Sequence, residues 1–456
     1  MENGFSLVPK EEEEEEDYSN EKSEDQTSYY LSTEMMKKVS FMAAPMVAVA
    51  ASQYLLQVIS IVMAGHLDEL SLSAVAIATS LTNVTGFSLI FGLAGALETL
   101  CGQAFGAGQF RNISAYTYGS MLCLLLVCFP ISLLWVFMDK LLELFHQDPL
   151  ISQLACRYSI WLIPALFGYS VLQSMTRFFQ SQGLVLPLFL SSLGALFFHV
   201  PFSWLLVYKL RFGIVGAALS IGFSYWLNVG LLWAFMRDSA LYRKNWNLRA
   251  QEIFLSMKQF ITLAIPTAMM TCLTMSSLHY VIVNAIGAAA STHVSNKLGA
   301  GNPKAARSAA NSAIFLGMID AAIVSISLYS YRRNWAYIFS NESEVADYVT
   351  QITPFLCLSI GVDSFLAVLS GVARGTGWQH IGAYANIGSY YLVGIPVGSI
   401  LCFVVKLRGK GLWIGILVGS TLQTIVLALV TFFTNWEQEV AKARDRVIEM
   451  IPQEII

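Results

Sequence analysis

Long hydrophobic runs separated by short polar segments occupy most of this chain. A helix that crosses a bilayer needs about 20 mostly apolar residues. Eleven runs exceed that length, at 40–64, 72–98, 114–137, 150–176, 185–208, 213–236, 259–298, 307–331, 346–372, 380–405 and 411–434. Because these runs are also far longer than the strands of a membrane β-barrel, the pattern predicts an all-α polytopic membrane protein.

Three polar segments flank or interrupt this pattern. Residues 1–34 contain 12 of the 30 acidic residues, which predicts a disordered cytoplasmic tail. A basic stretch at 237–258 separates a predicted N-terminal lobe at 35–236, with six spans, from a C-terminal lobe at 259–434. Residues 435–456 are charged again, and we expect them to form a second cytoplasmic tail.

The composition supports a membrane protein and excludes several function classes. Hydrophobic residues make up 55% of the chain and charged residues 12%, whereas a soluble domain has about 25% charged residues. This excludes a soluble enzyme, a disordered protein and a nucleic-acid binder. The sequence also lacks the phosphate-binding loop of ATPases, the metalloprotease motif, the Gly-x-Ser-x-Gly motif of esterases and any Cys-x-x-Cys pair. We therefore expect neither an enzyme nor a metal site.

The two halves of the chain resemble each other. Pro266 in the second half corresponds to Pro45 in the first, and the Gly299–Gly301 segment corresponds to Gly106–Gly108. Internal duplication is frequent in secondary transporters, and repeats with an even number of spans are parallel. The sequence therefore predicts two parallel six-helix lobes with twelve spans.

The second repeat is shorter than the first. Sixty-one positions separate Pro45 from Gly106, but only 33 separate Pro266 from Gly299, a shortfall of 28. Residues 266–298 are too short for two spans of about 20 residues each and long for one, so spans seven and eight are predicted to be truncated or fused.

The distribution of Lys and Arg tests these two possibilities. With twelve crossings and a cytoplasmic N-terminus, 18 of these residues lie on the cytoplasmic side and eight outside; with eleven crossings, the counts are 16 and 10. Because cytoplasmic loops carry the excess of Lys and Arg, charge favours twelve crossings with both termini cytoplasmic.

Three acidic residues inside the apolar runs are candidates for proton coupling, because a carboxyl group at membrane depth is costly and often functional. Asp363 lies in the middle of its run, which suits a group that takes up and releases protons. Glu98 lies near the end of the second run, where a structural carboxylate hydrogen-bonded to nearby backbone is the main alternative. Asp320 is a third candidate, and a structural polar contact is the main alternative for it.

Polar and aromatic residues within the runs are candidates for a substrate cavity. Gln57, Asn83, Asn386 and Tyr391 are the candidate lining residues. Aromatic rings bind organic cations through cation–π contacts, but such residues more often face lipid. The aromatic residues open to both interpretations are Phe197, Phe198, Trp204, Tyr225, Trp226, Tyr390 and Tyr391.

Several segments resemble one known family. They are Gln53–Ser60 with Gly65–Leu67, Leu97–Gly108 (LETLCGQAFGAG), Asn296–Pro303 and Gly371–Gln379. In this order they are similar to plant multidrug and toxic compound extrusion (MATE) transporters of the DETOXIFICATION type. The resemblance covers residues 32–440.

The resemblance implies a MATE fold, with two six-helix lobes around a central cavity. It implies export of organic cations, xenobiotics or secondary metabolites by a monomer in the plasma or vacuolar membrane. Its implied partners are the lipid bilayer, small organic substrates and protons. The proton gradient drives export without a cofactor, and acids on spans seven and ten bind the protons. Asp363 matches the tenth-span acid.

The seventh-span acid should follow Thr271 and Cys272, but here Cys272 runs directly into a segment that resembles the middle of span eight. The missing family segment thus coincides with the shortfall in the repeat. The alternative to a working transporter is a non-transporting truncated variant.

Overall fold

The computed structural model describes residues 33–144, 146–238, 248–271, 278–333, 343–407 and 409–448, and every regular element within these ranges is helical. Residues 1–32 of the predicted acidic tail, 239–247 of the basic stretch and 449–456 of the second tail lie outside them. The prediction of an all-α polytopic protein is confirmed.

Thirteen helices are numbered in chain order. They are α1 Thr33–Gly65, α2 Glu69–Gly106, α3 Phe110–Val136, α4 Pro149–Ser181, α5 Val185–Lys209, α6 Ile214–Asp238, α7 Ala250–Thr271, α8 Leu278–Gly299, α9 Pro303–Ser330, α10 Ser343–Thr376, α11 Gln379–Val404, α12 Gly409–Phe433 and α13 Trp436–Ile448. A short helix, Met138–Leu144, lies between α3 and α4. Short π-helical segments interrupt or end α2, α5 and α11.

Ten of the described helices are long and apolar enough to cross a membrane. These are α1 to α6 and α9 to α12, whereas α7 and α8, at 22 residues each, do not qualify.

The backbone repeats the same turns in both halves. Glycines with positive φ close corresponding turns, Gly108 (70°) with Gly301 (77°) and Gly183 (71°) with Gly377 (94°). The π-helical segments Leu205–Lys209 and Ile400–Val404 end α5 and α11, 195 positions apart. Each is followed by a residue with positive φ, Arg211 (57°) or Lys406 (60°). These pairs support the internal duplication that the sequence predicts.

The first helix of the second repeat, α7, is shorter than its counterpart α1 in the first repeat. α7 continues for only five residues after Pro266, whereas α1 continues for twenty after Pro45. The backbone of Ala268 packs against Gly92, which lies well inside α2. α7 therefore ends near the middle of the helical bundle, and spans seven and eight are truncated rather than fused.

The corresponding turns of the two repeats lie at the same end of the molecule. Gly106 packs so closely against the backbone of Asn296 and Ala300 that a β-carbon at Gly106 would clash, and Gly299 packs in the same way against Gln103. We call this end, with the Gly106–Gly108 and Gly299–Gly301 turns, the turn end. The second repeat therefore has the same orientation as the first, which is the arrangement expected for twelve membrane crossings.

Each of the two hydrophobic cores includes residues from a helix of the other half. The core of the first half includes Phe260, Ala264 and Ala268 from α7. The core formed by α8, α9, α10 and α13 includes Val39 and Met42 from α1. The first helix of each half thus packs in the core of the other half, which ties the halves together.

The predicted second tail begins with an amphipathic helix. α13 buries Trp436, Ala443 and Val447 against the turn end. Arg446 Nη2 donates to the carbonyl oxygen of Thr376 at 2.9 Å, and this contact attaches the helix to the end of α10.

Candidate functional site

Glu98 lies between two arginines in the buried interior near the turn end. Its Oε1 is 2.9 Å from Arg177 Nη1, and its Oε2 accepts a hydrogen bond from Arg374 Nε at 2.9 Å. All three side chains are at most 5% exposed. Ion pairing of this kind holds a carboxylate in its charged form. Glu98 therefore has the geometry of a structural ion-pair residue, with arginine side chains as partners rather than nearby backbone.

Further hydrogen bonds join the same two helices. Thr99 Oγ1 donates to the carbonyl oxygen of Arg374 and accepts a bond from Gln379 Nε2 at 2.6 Å. Gln103 Nε2 donates to the carbonyl oxygen of Gly375 at 3.4 Å. α2 of the first half is thus held to the junction of α10 and α11 in the second.

Arg177 and Arg374 were not singled out from the sequence as site residues. The charge count for the topology assigns both to the cytoplasmic side, and the structure shows that they lie inside α4 and α10 and are buried. The mostly apolar sequence around each was an available signal, since an arginine within such a segment requires a partner.

Asp363 lies in the middle of the apolar part of α10, Thr353–Thr376, and is half-buried. Its Oδ2 accepts a hydrogen bond from Ser359 Oγ at 3.2 Å, one turn earlier on the same helix. Unlike Glu98, Asp363 has no basic side chain among the ion pairs of the described residues. Its carboxyl group is therefore not committed to a permanent counter-charge.

Asp320 is half-buried on α9, which packs against α10. Two contacts set the antiparallel register of these helices, Ser325 with Cys357 and Gly317 with Val368. By this register Asp320 is level with Asp363. The structure thus places the two candidate acids of the second half at one depth, and Glu98 nearer the turn end.

Gln57 and Asn83 are brought together in the first half. Asn83 Nδ2 donates to Gln57 Oε1 at 3.2 Å, and both residues are half-buried. Asn83 begins the π-helical segment Asn83–Phe87, which interrupts α2. Such π-turns are frequent at functional sites, so this pair is the best-formed part of the candidate cavity lining.

A cluster of aromatic rings lies behind the π-helical segment. The ring of Phe87 is 5.1 Å from that of Tyr169 and 5.7 Å from that of Trp135. Tyr169 is in turn 5.3 Å from Tyr225. Tyr225 is buried, whereas Phe197, Trp204 and Trp226 are between 45% and 75% exposed, as expected of lipid-facing residues.

Asn386 and Tyr391 both lie on α11 but differ in solvent exposure. Asn386 is fully buried, and the ring of Tyr391 is 53% exposed. Tyr391 is therefore the most exposed of the four candidate lining residues.

The acid expected on span seven has no counterpart. No Asp or Glu occurs between Glu252 and Asp320 in the sequence. No group of three or more His, Cys, Asp or Glu side chains that could hold a metal ion occurs within the described part of the chain.

Comparison with known families accounts for the repeat. The sequence profile described as MatE matches the chain twice, at residues 45–205 and 265–400. The chain belongs to the MATE family. The second match covers 136 residues and the first 161, so the MATE repeat is shortened in the second half.

Two curated relatives from Arabidopsis thaliana are very similar to this MATE protein. Protein DETOXIFICATION 8 is 94% identical over 485 aligned positions, which cover 100% of both chains. Protein DETOXIFICATION 7 is 72% identical and covers 99% of this chain and 95% of its own. The resemblance to plant DETOXIFICATION proteins is confirmed.

The first alignment gives the size of the difference in length. It has 485 positions and this chain has 456 residues, so 29 positions face no residue of this chain. Because 94% of 485 is about 456, the two sequences differ almost entirely by these missing positions. The number agrees within one residue with the shortfall between Pro266 and Gly299.

Solved structures confirm the MATE fold. The crystal structure of the eukaryotic MATE transporter AtDTX14 superposes with a TM-score of 0.87 at 45% identity, covering 91% of this chain and 99% of that one. The bent form of the Vibrio cholerae MATE transporter VcmN has a TM-score of 0.76 at 15% identity, with the same coverage.

Proposed function

We propose that this chain is a secondary active efflux transporter that exchanges protons for organic cations, xenobiotics or secondary metabolites. The observation that carries the proposal is Asp363, a half-buried carboxyl group in the middle of a membrane helix, with a hydroxyl partner but no arginine. The crystal structure of the MATE transporter AtDTX14, which is 45% identical to this chain, supports the transport function.

In this mechanism Asp363 changes its charge during the transport cycle. Proton binding neutralises the Asp363 carboxylate in the middle of α10. A neutral side chain at this position packs against the neighbouring helices differently from a charged one. Protonation biases the equilibrium between two arrangements of the halves, because it stabilises one of them more than the other. The halves rock around a site near the membrane midplane, and substrate leaves as a proton enters.

The proposed substrate class follows from the chemistry of the first half. The Gln57–Asn83 pair offers amide groups beside a cluster of aromatic rings. Aromatic faces attract flat organic cations, and amide groups orient them without requiring a fixed charge. We propose that the protein works as a monomer in the plasma or vacuolar membrane, with a cytoplasmic turn end and no cofactor.

Vesicles that contain the purified chain test this proposal. A pH gradient should drive saturable movement of a fluorescent organic cation, and dissipation of the gradient should stop it. Asp363→Asn should abolish this movement while membrane insertion stays normal. The matched control is Asp445→Asn, an acid-to-amide change at an exposed position of α13. Equal movement by the wild type and Asp363→Asn would remove Asp363 from the mechanism.

The shortened hairpin favours a second candidate, a non-transporting truncated variant. α7 ends at mid-depth, and no acid lies between Glu252 and Asp320. A well-inserted chain that moves no substrate, under conditions in which Protein DETOXIFICATION 8 moves it, would establish this second candidate. A passive channel is a different outcome, and saturable flux that collapses with the gradient excludes it.

A further inference from the structure

We propose that the Glu98–Arg374 ion pair is a lock that closes the turn end between the two halves and opens when substrate passes that end. Glu98 lies on α2 of the first half and Arg374 on α10 of the second, 276 positions apart. The proposal builds on the proposed transport function, because it assigns a role to residues that the proton site does not use.

The burial of the pair shows that the interface is closed in this structure. Glu98 is 2% exposed and Arg374 is 3% exposed, so water does not reach the ion pair. Charge-assisted hydrogen bonds in such surroundings are about twice as strong as neutral ones. The pair is therefore a strong contact between α2 and α10, and separation of the halves at this end must break it.

Comparison of the two repeats shows that the three charged residues are not shared by the two halves. The turns place corresponding residues of α2 and α8 193 positions apart, and those of α4 and α10 194 positions apart. The corresponding pairs are Glu98 with Ser291, Thr99 with Thr292, Gln103 with Asn296, Arg177 with Gly371, Gln180 with Arg374, and Ser181 with Gly375.

Neutral hydrogen bonds occur on both sides of this pseudo-symmetry. Gln103 Nε2 donates to the carbonyl oxygen of Gly375 at 3.4 Å, and its counterpart Asn296 donates to that of Ser181 at 3.0 Å. Gln180 Nε2 lies 3.3 Å from Thr292 Oγ1. None of the three charged residues is repeated at its corresponding position, where Ser291, Gly371 and Gln180 are uncharged, so the interface closes through neutral bonds and is locked through charges.

The arrangement of the charges makes the lock reversible. Arg177 lies on the same half as Glu98 and contacts the other carboxylate oxygen. When the halves separate, Glu98 keeps Arg177 as its partner, and no buried carboxylate is left unpaired, which would be the costly outcome. Arg374 moves away with α10 toward the water that enters the opened interface.

Two arginine substitutions separate a lock from a merely structural cluster. Arg374→Gln removes the inter-half ion pair and introduces the residue found at the corresponding position, Gln180. Arg177→Gln is the matched control, because it removes the pair within the first half and leaves the inter-half pair in place. Both are made together with Ser295→Cys, whose side chain is fully buried against Gly102 at the α2–α8 interface.

The readout is the rate at which a membrane-impermeant maleimide labels Ser295→Cys from the turn end, after subtraction of labelling in chains with only the native cysteines. Arg374→Gln should raise this rate about tenfold, as expected for loss of a hydrogen bond between charged groups. Arg177→Gln should not raise the rate, because the inter-half pair stays in place and opening would then leave Glu98 without a partner. An unchanged rate in Arg374→Gln, or an equal rise in both variants, overturns the lock.

Labelling requires neither a substrate nor a proton gradient. A chain that fails to transport therefore still tests the lock, and its failure to transport counts only against the proposed function. Thermal unfolding in detergent shows that each variant is folded before its labelling is compared. If Arg374→Gln does not fold, Arg374→Lys replaces it, because lysine keeps the charge but loses the guanidinium geometry. It should then label faster than the parent chain, and an unchanged rate would again contradict the lock.

Discussion

Leu278, the first described residue of α8, lies level with Val362, the residue before Asp363. α8 and α10 run parallel, with Gly287 packed against Gly371 and, one turn later, Ser291 against Gly375, which fixes this register. Nearer the start of α10, Phe355 and Leu358 are 51% and 57% exposed. The described part of α8 thus begins at the depth of the proposed proton-binding acid.

Restoration of the missing hairpin should restore or increase transport. We expect that the 29 positions that this chain lacks relative to Protein DETOXIFICATION 8, inserted within residues 271–278, increase gradient-driven efflux. The physical reason is that the added helical turns cover the exposed side of α10 next to Asp363. An inserted segment of equal length and scrambled apolar sequence is the control. Equal efflux with and without the native segment would show that the hairpin is dispensable.

Substitution of Glu98 should destabilise the protein strongly. Glu98→Gln leaves two buried arginines without a counter-charge, and such a loss costs about 3–5 kcal/mol. We expect a large fall in the midpoint of thermal unfolding in detergent, and low recovery of inserted protein. Glu69→Gln, at an exposed glutamate in the first turn of α2, is the matched control and should change the midpoint little. A midpoint unchanged by Glu98→Gln would show that the two arginines are solvated.

The two repeats should show the same sidedness. Phe110→Cys and Lys304→Cys follow the two corresponding turns, and Leu210→Cys lies at the opposite end of the bundle. An impermeant thiol reagent should label the first two from one side of the membrane and the third from the other. Labelling of Lys304→Cys together with Leu210→Cys would mean that the second half is inverted.

Asp68 should give a pH-dependent contribution to stability outside the membrane spans. It caps the start of α2, accepting hydrogen bonds from the backbone N–H of Ser71 at 2.6 Å and from its hydroxyl at 2.9 Å. These bonds, the backbone one first, hold the pKa of Asp68 below its ordinary value of 3.8. The stabilisation is therefore present above that value and lost as the pH falls through the lowered pKa.

Two substitutions of Asp68 test this cap. Asp68→Ala should lower stability by about 1 kcal/mol at neutral pH, the usual cost of losing an N-cap. Asp68→Asn keeps an acceptor but cannot titrate, so it should retain most of the stability and lose the pH dependence. Thermal unfolding of the three proteins at neutral and acidic pH measures both effects. Equal pH dependence in the wild type and Asp68→Asn would assign it to another group.

The fold could be predicted from sequence because bilayer physics leaves few solutions. Apolar runs of span length must be helices, and the recurrence of the Gly-Ala-Gly turn fixes the register between the repeats. The same register indicates that the second repeat is shortened, because fewer positions separate Pro266 from Gly299 than separate Pro45 from Gly106. The sequence could not decide between fused and truncated spans, since that depends on which backbone segments pack together, here Ala268 with Gly92.

The candidate site was less predictable. A carboxylate in an apolar run is visible in the sequence, but its partner is not: Arg177 and Arg374 lie 79 and 276 positions from Glu98. Only packing of α2 against α4 and α10 brings the three together. Similarly, Tyr225 is buried and the adjacent Trp226 is exposed. The sequence alone does not show which face of α6 packs against the neighbouring helices.

Substrate-induced proton movement tests the central proposal most directly. Vesicles contain the chain and a pH-sensitive dye, and no pH gradient is imposed across their membrane. Only a concentration gradient of an organic cation is then applied. If Asp363 couples the two fluxes, substrate moving one way drives protons the other way, the internal pH changes, and Asp363→Asn abolishes the change. Substrate movement without any change of pH in the wild-type chain, or an equal change in Asp363→Asn, would contradict coupling through Asp363.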